Sequence, residues 1–337
     1  ATMGALYARI AGTNHPDSGM PRYARVLPEA VQPDLKLRRN FETGALPGLT
    51  SPGQLGPAYE AFDPAGGGAF QENLQLRLPR QRFDDRRALF QQLDSVKRKY
   101  ETETPSGGSA FQGANRYQKQ AFDMITRGIA SAFDLSKEDP RTIERYDTSH
   151  LFDMAKLNRY NDMFRSTNLL GKQMLLARRL CEAGCGFVTV SDAGWDMHGN
   201  NNSLPRLSGL VPLGHQVDQA VAAFIEDVRE RGLSEKILLV VTGEMGRTPR
   251  INGRGGRDHY GNLTSLLFAG GGMQMGQVIG RSDSHATRPA TEKFDPKNLL
   301  ATLMHWMFDI GELRLQRDVP SDVMNIVTKD KPIPGLL

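Results

Sequence analysis

The chain reads as an α/β protein: a mostly parallel sheet flanked by helices, with long Gly/Pro-rich loops. Three observations predict this. From residue 184 onward, apolar runs of strand length alternate with amphipathic stretches of helix length, the order that sandwiches a parallel sheet between helices. Residues 236–241, Lys-Ile-Leu-Leu-Val-Val, run apolar without alternation, the mark of a strand covered on both faces. Residues 13–72 are punctuated by Pro47-Gly48, Pro52-Gly53, Gly56-Pro57 and Gly66-Gly67-Gly68, which predicts one long loop draped over a surface.

The elements follow in order. Residues 1–12 have a helical pattern with no cap before it, so the polypeptide is expected to extend further upstream. Leu74, Leu76 and Leu78 alternate and predict a short strand. A helix is expected near 83–102, where Leu89, Phe90, Leu93, Val96 and Tyr100 form one stripe. A Pro/Gly/Ser break over 104–114 precedes a second helix, 115–133, carrying Phe122, Ile125, Ile129 and Phe133. Asp139-Pro140 marks a turn or helix start in the polar stretch 134–147. Residues 150–183 read as helical, interrupted near Ser166-Thr167-Asn168. Residues 186–190 then form a strand, and 206–232 a helix with Leu210, Val217, Val221, Phe224, Ile225 and Val228 inward. After the strand at 236–241 come another at 264–269 and a short edge strand at 277–280. The last clear helix, 296–308, has Asp295 as N-cap and Pro296 in its first turn. Residues 1–337 are expected to form one domain, with a loop-rich, helical part over 1–150 and an α/β part over 170–320.

Composition narrows the function classes. With 39% hydrophobic and 24% charged residues the chain is an ordinary globular protein, long enough to bury a sizeable core. A net charge of only +4 is a weak argument for nucleic acid, no Lys/Arg block stands out, and no nucleic-acid partner is expected. Arg77, Arg80, Arg82, Arg86 and Arg87 alternate with Asp84 and Asp85, as at a solvated helix start. No run of about 18 apolar residues is present, so no transmembrane segment is expected. Cys181 and Cys185 are too few for a disulfide scaffold. They read as two small buried side chains, with a local disulfide as the alternative.

The chemistry-bearing residues lie in three Gly-rich stretches. In Gly194-Trp195-Asp196-Met197-His198-Gly199-Asn200-Asn201, Asp196 and His198 place an oxygen and an imidazole in one tight loop after a strand, a pairing that suits Zn, Mn or a similar ion. The alternative is a turn in which Asp196 caps backbone and His198 lies on the surface. In Val241-Thr242-Gly243-Glu244-Met245-Gly246-Arg247-Thr248-Pro249, Glu244 ends an apolar strand and reads as a metal ligand, or else as a salt-bridge partner of Arg247 or Arg250. Arg247 is the candidate catalytic residue, an anion clamp whose planar fork matches phosphate or sulfate oxygens. In Gly256-Arg257-Asp258-His259-Tyr260-Gly261-Asn262, His259 is the better ligand, and Asp258 either orients it or binds directly. His215 and His305 fall on predicted helices and read as structural.

Together with Leu175-Leu176-Ala177-Arg178-Arg179-Leu180 and Leu55-Gly56-Pro57-Ala58-Tyr59, these blocks resemble the signature of the DUF1501 family over most of residues 1–320. That family is a domain of unknown function common in bacterial exported proteins, especially in planctomycetes, and is placed with the alkaline phosphatase/sulfatase superfamily. The resemblance implies an alkaline-phosphatase-like fold and a divalent metal (Zn, Mn, Ca or Mg). It implies a small anionic ester or glycan as substrate, and a periplasmic or extracellular location. Asp196, His198 and His259 match one metal site of that superfamily. Glu244 stands where an Asp, often followed by His, is common, and here Met245 follows. The superfamily's first strand brings an Asp ligand and a Ser, Thr or modified-Cys nucleophile, and no strand-then-Asp motif stands at the front of this chain. The N-terminal segment is therefore expected to be missing, or supplied by a partner protein. Two functions are implied: a metal-dependent phosphate- or sulfate-ester hydrolase, and a non-catalytic binding or structural protein on a degenerate hydrolase scaffold.

Overall fold

The structure is a computed structural model. It describes residues 1–32, 34–35, 44–65, 79, 81–86, 88–89, 92, 124–125, 129–151, 168–199 and 210–337. The expected strand at 74–78, most of the helix at 83–102 and the segment 152–167 lie outside the described residues. The chain divides into two compact units, one of 1–35, 48–138 and 179–190, the other of 36–47, 139–178 and 191–337. Among the described residues no helix is long and apolar enough to cross a membrane.

In the first unit, helix α1 (Met3–Ala11) buries Ala5, Leu6, Tyr7 and Ala8. A side chain at Gly4 would run into the Tyr23 ring, so glycine lets α1 lie flat on the strand beside it. That strand, β1 (Tyr23–Val26), corrects the expectation of a loop over 13–72. It pairs in parallel with β2 (Phe187–Val190), Tyr23 opposite Phe187 and Val26 opposite Val190. Flanking prolines hid it, yet Tyr23, Ala24 and Val26 are among the most buried residues of the chain. Tyr59 and Ala61 complete this core, and Arg25 ties it to Asp63 through Nε and Nη2, both at 2.9 Å. Residues 81–86 are helical, with Arg82, Asp84, Asp85 and Arg86 exposed as a solvated helix start. Leu89, from the expected apolar stripe, is exposed as well. Helix α2 (Ala130–Phe133) follows, with Ile129 and Phe133 buried.

The second unit begins with helix α3 (Pro140–Arg145), whose Asp139 caps the N–H groups of Arg141 and Thr142. Helix α4 (Leu170–Glu182) and helix α5 (Leu210–Glu230) fulfil the helical periodicities. The buried face of α5 differs from the expected one. It is Leu213, Gln216, Ala220, Ala223, Phe224, Asp227 and Val228, while Leu210 and Ile225 are exposed. Polar pairing rotates the helix. Asp227 accepts from Arg178 Nε at 2.8 Å, Arg231 Nε at 2.7 Å and Tyr146 Oη at 3.1 Å. Arg178 is wholly buried, and a buried charge requires such a partner. Burial and the Asp227 carboxylate together push the Tyr146 phenol well above its ordinary pKa.

The expected mostly parallel sheet is not what the described residues form. Besides β1–β2 there are two antiparallel pairs. Strand β3 (Leu238–Thr242) pairs with β6 (Leu266–Gly270), Leu238 opposite Gly270 and Thr242 opposite Leu266. Strands β4 (Gly246–Arg247) and β5 (His259–Tyr260) form the other pair. A parallel partner needs a crossover of helix length. The segment between β3 and β6 instead doubles back on itself, so β6 returns antiparallel. Strand β3 is half-buried rather than covered on both faces, and Leu266 and Leu267 are exposed. The expected edge strand at 277–280 is absent: Gly276 and Gly280 adopt positive φ, and Val278 is 94% exposed. Helix α6 (Pro296–Met307) carries the foreseen cap, with Asp295 accepting from Lys297 N and Asn298 closing the box. Helices α7 (Ile310–Leu313) and α8 (Ser321–Thr328) follow.

Candidate metal centre

The first site loop, 191–199, follows β2 and is pinned through the Asp192 carboxylate. Trp195 Nε1 donates to Asp192 Oδ2 at 3.0 Å, and Gln216 of α5 donates to the same oxygen at 3.3 Å. Met197 packs with Leu213, Leu151 and Trp195. Seating Met197 in this core leaves its neighbours Asp196 and His198 part-exposed. Gly194, at φ +116°, makes the turn into the loop. The second loop is delivered by the β4–β5 ladder, in which Arg247 lies directly opposite His259. Residues opposite each other share a face of a strand pair, and both side chains here reach Asp196.

One carboxylate oxygen is the focus. Asp196 Oδ1 lies 2.9 Å from His198 Nε2, 2.9 Å from His259 Nε2 and 2.8 Å from Arg247 Nη2. The two imidazole nitrogens are 3.1 Å apart, with ring centroids at 4.6 Å. Burial works to raise the Asp196 pKa, but hydrogen bonds from His259 and Arg247 outweigh it and hold the carboxyl below its usual range. On the far side of His198, Nδ1 faces Asp258 Oδ1 at 3.0 Å. A carboxylate there keeps the proton on Nδ1 and turns the Nε2 lone pair toward Asp196 and His259. The cluster therefore sets the His198 Nε2 lone pair against the Asp196 carboxylate oxygen, an arrangement that calls for a shared positive charge. Donors about 2.0–2.1 Å from one tetrahedral ion stand about 3.3 Å apart, so this triangle needs to open by only a few tenths of an ångström. Asp196, His198 and His259 can hold a metal ion.

With this geometry, similarity to known proteins becomes informative. A family model described as "Protein of unknown function (DUF1501)" matches residues 1–314. The chain belongs to the DUF1501 family. No curated protein and no solved structure matches it.

The other expected site residues of this DUF1501 chain take different places. Asp258 lies beside the triangle, and the histidine it orients is His198 rather than its neighbour His259. Its carboxyl is held below the usual range by hydrogen bonds with His198 and Asn252. Glu244, in the bend between β3 and β4, is exposed. Among the described residues it is not part of the metal-ligand group, nor does it form the alternative salt bridge to Arg247 or Arg250. Arg247 meets protein acceptors: Asp196, the Trp195 carbonyl at 3.1 Å and the Arg257 carbonyl at 3.3 Å. Cys181 and Cys185 are free thiols, so the local disulfide is not formed.

Asn252 was overlooked in the sequence. Its Nδ2 donates to the His198 carbonyl at 2.8 Å and to Asp258 Oδ1 at 2.9 Å, while its Oδ1 accepts from Arg254 N at 3.0 Å and Gly256 N at 3.1 Å. Every hydrogen-bonding valence of the amide is filled. It locks the glycine-rich turn against the His198 loop, where a side chain at Gly256 would run into the backbone of His198 and Gly199. The dipeptide Asn252-Gly253 is a turn signal that could have exposed it.

Proposed function

We propose that this chain carries a divalent-metal centre, held by Asp196, His198 and His259, that serves hydrolysis of phosphate or sulfate esters on an alkaline-phosphatase-like scaffold in an exported protein. The observation that carries this reading is the convergence of two imidazole nitrogens and a carboxylate oxygen at 2.9–3.1 Å. Two imidazoles and one oxygen favour Zn or Mn over Ca or Mg, which prefer all-oxygen shells. Such an ion supplies Lewis acidity toward the ester. The chain's own residues do the positioning: Arg247 holds Asp196, and Asp258 keeps the Nδ1 proton of His198. The test is zinc and manganese content of the purified chain, with release of 4-nitrophenol from its phosphate and sulfate esters. Stoichiometric metal and turnover lost in His259→Ala support the reading. A chain that takes up neither ion, and whose thermal stability ignores chelators, overturns it.

A second reading, a binding or structural protein on a degenerate scaffold, is favoured by Arg247 and Glu244. The guanidinium expected to face an anion is engaged with Asp196 and two carbonyls, and Glu244 is outside the ligand group. Bound metal without turnover of either ester supports this reading.

A further inference from the structure

Four arginines, Arg247, Arg250, Arg254 and Arg257, occupy the segment from β4 to β5. Two of them brace the loops. Arg247 donates to Asp196 and to the carbonyls of Trp195 and Arg257, and Arg257 Nη1 donates to the carbonyls of Thr248 and Pro249, both at 2.6 Å. Arg250 and Arg254 are exposed, and neither guanidinium makes a hydrogen bond or ion pair among the described residues.

Arg254 differs from Arg250 in how its backbone is fixed. Its N–H donates to Asn252 Oδ1, and the same Asn252 side chain holds the His198 carbonyl and Asp258. Gly255 bridges to Gly199, the residue after His198. A side-chain carbon on Gly199 would lie 2.6 Å from Arg254 Cβ. The Arg254 side chain therefore leaves the backbone against the residue that follows a cluster histidine.

Resting on the ester-hydrolase reading, the geometry points to Arg254 as the anchor for the anionic group of the substrate. A guanidinium with a free fork takes two phosphoryl or sulfuryl oxygens at once. The excess of arginine over carboxylate in this segment draws such an anion toward the metal cluster. Arg247, the arginine singled out by its strand-end motif, is then a positioning residue for Asp196.

Calorimetric titration of the zinc-loaded chain with inorganic phosphate and with inorganic sulfate tests the assignment. Arg254→Ala is expected to weaken binding of both anions at least tenfold, with zinc stoichiometry and thermal midpoint unchanged. Arg254→Lys, which keeps the charge and loses the fork, is expected to fall in between, and Arg250→Ala to bind as the parent does. Zinc uptake by a chain that binds neither anion, or whose anion affinity is the same in Arg254→Ala, overturns the anchor and leaves the metal centre standing. A chain that takes up no zinc fails the metal-centre reading itself, and the anchor falls with it.

Discussion

Replacing Asn252 with alanine removes four hydrogen bonds at once, and the structure says where each loss is felt. Arg254 N–H is exposed and turns to water, so its loss is nearly neutral. The other three bonds, to the His198 carbonyl, Asp258 Oδ1 and Gly256 N–H, are part-buried. At about 0.5–1.5 kcal/mol each, discounted for partial hydration, the fold loses about 1–3 kcal/mol. The larger consequence concerns the metal. Asn252 holds both His198 and the carboxylate that fixes the tautomer of His198. Groups that orient ligands in this way are worth about 10–100-fold in metal affinity, which is about 1.4–2.7 kcal/mol. Zinc competition against a chromophoric chelator, for the parent and Asn252→Ala, reads that number directly. Asn252→Asp separates orientation from turn packing. It keeps an acceptor for Arg254 N–H and Gly256 N–H but sets a carboxylate against Asp258 Oδ1, so zinc affinity is expected to fall although the turn survives. An Asn252→Ala chain that binds zinc as tightly as the parent refutes the reasoning.

Other perturbations have equally definite outcomes. Gly256→Ala forces a methyl group into the backbone of His198 and Gly199, and is expected to weaken zinc binding at least tenfold at an overpacking cost of about 1–3 kcal/mol. Parent-like zinc affinity would show that the close approach is dispensable. Asp227→Ala removes the carboxylate that faces the buried Arg178 guanidinium and the acceptor of Tyr146, a loss of about 3–5 kcal/mol in urea unfolding. A loss below about 1 kcal/mol would mean that the guanidinium does not depend on Asp227 for its charge balance. Burial pushes the Cys181 thiol up to about 12 and the Cys185 thiol higher still. Both are therefore expected to resist an aromatic disulfide reagent at about pH 8 and to react once denatured. Rapid modification of Cys185 in the native chain contradicts this.

The helices and strands visible in the sequence were those whose periodicity is set by apolar packing alone. α1 and α6, and the apolar runs that became β2, β3 and β6, are of this kind. β1 was hidden because Met20-Pro21 and Leu27-Pro28 frame only four residues, too few for alternation to show. The buried face of α5 was misread because Gln216 and Asp227 point inward, and only the partners of those side chains explain why. The orientation of β6 was in principle legible, since the stretch 243–265 has no helical period and cannot carry a parallel crossover. At the site, Asp196, His198 and His259 were marked by spacing and turn chemistry. The separation of Glu244 from them, and the engagement of Arg247 with Asp196, depend on a two-residue ladder that leaves almost no trace in sequence.

That ladder has a consequence of its own. A pairing of Gly246–Arg247 with His259–Tyr260 is too short to persist unaided; the bonds between Thr248 and Asp258 extend it, and the meeting of Arg247 and His259 on Asp196 ties it to the first loop. The cluster thus acts as a fastener between segments about sixty residues apart, and an ion held by it would couple its own capture to strand closure. Zinc added to the chain is therefore expected to protect the amides of residues 246–260 from hydrogen exchange as a block, and a chelator to release them together. Occupancy of the cluster would then be read in the backbone exchange of a loop that contributes only one of its ligands.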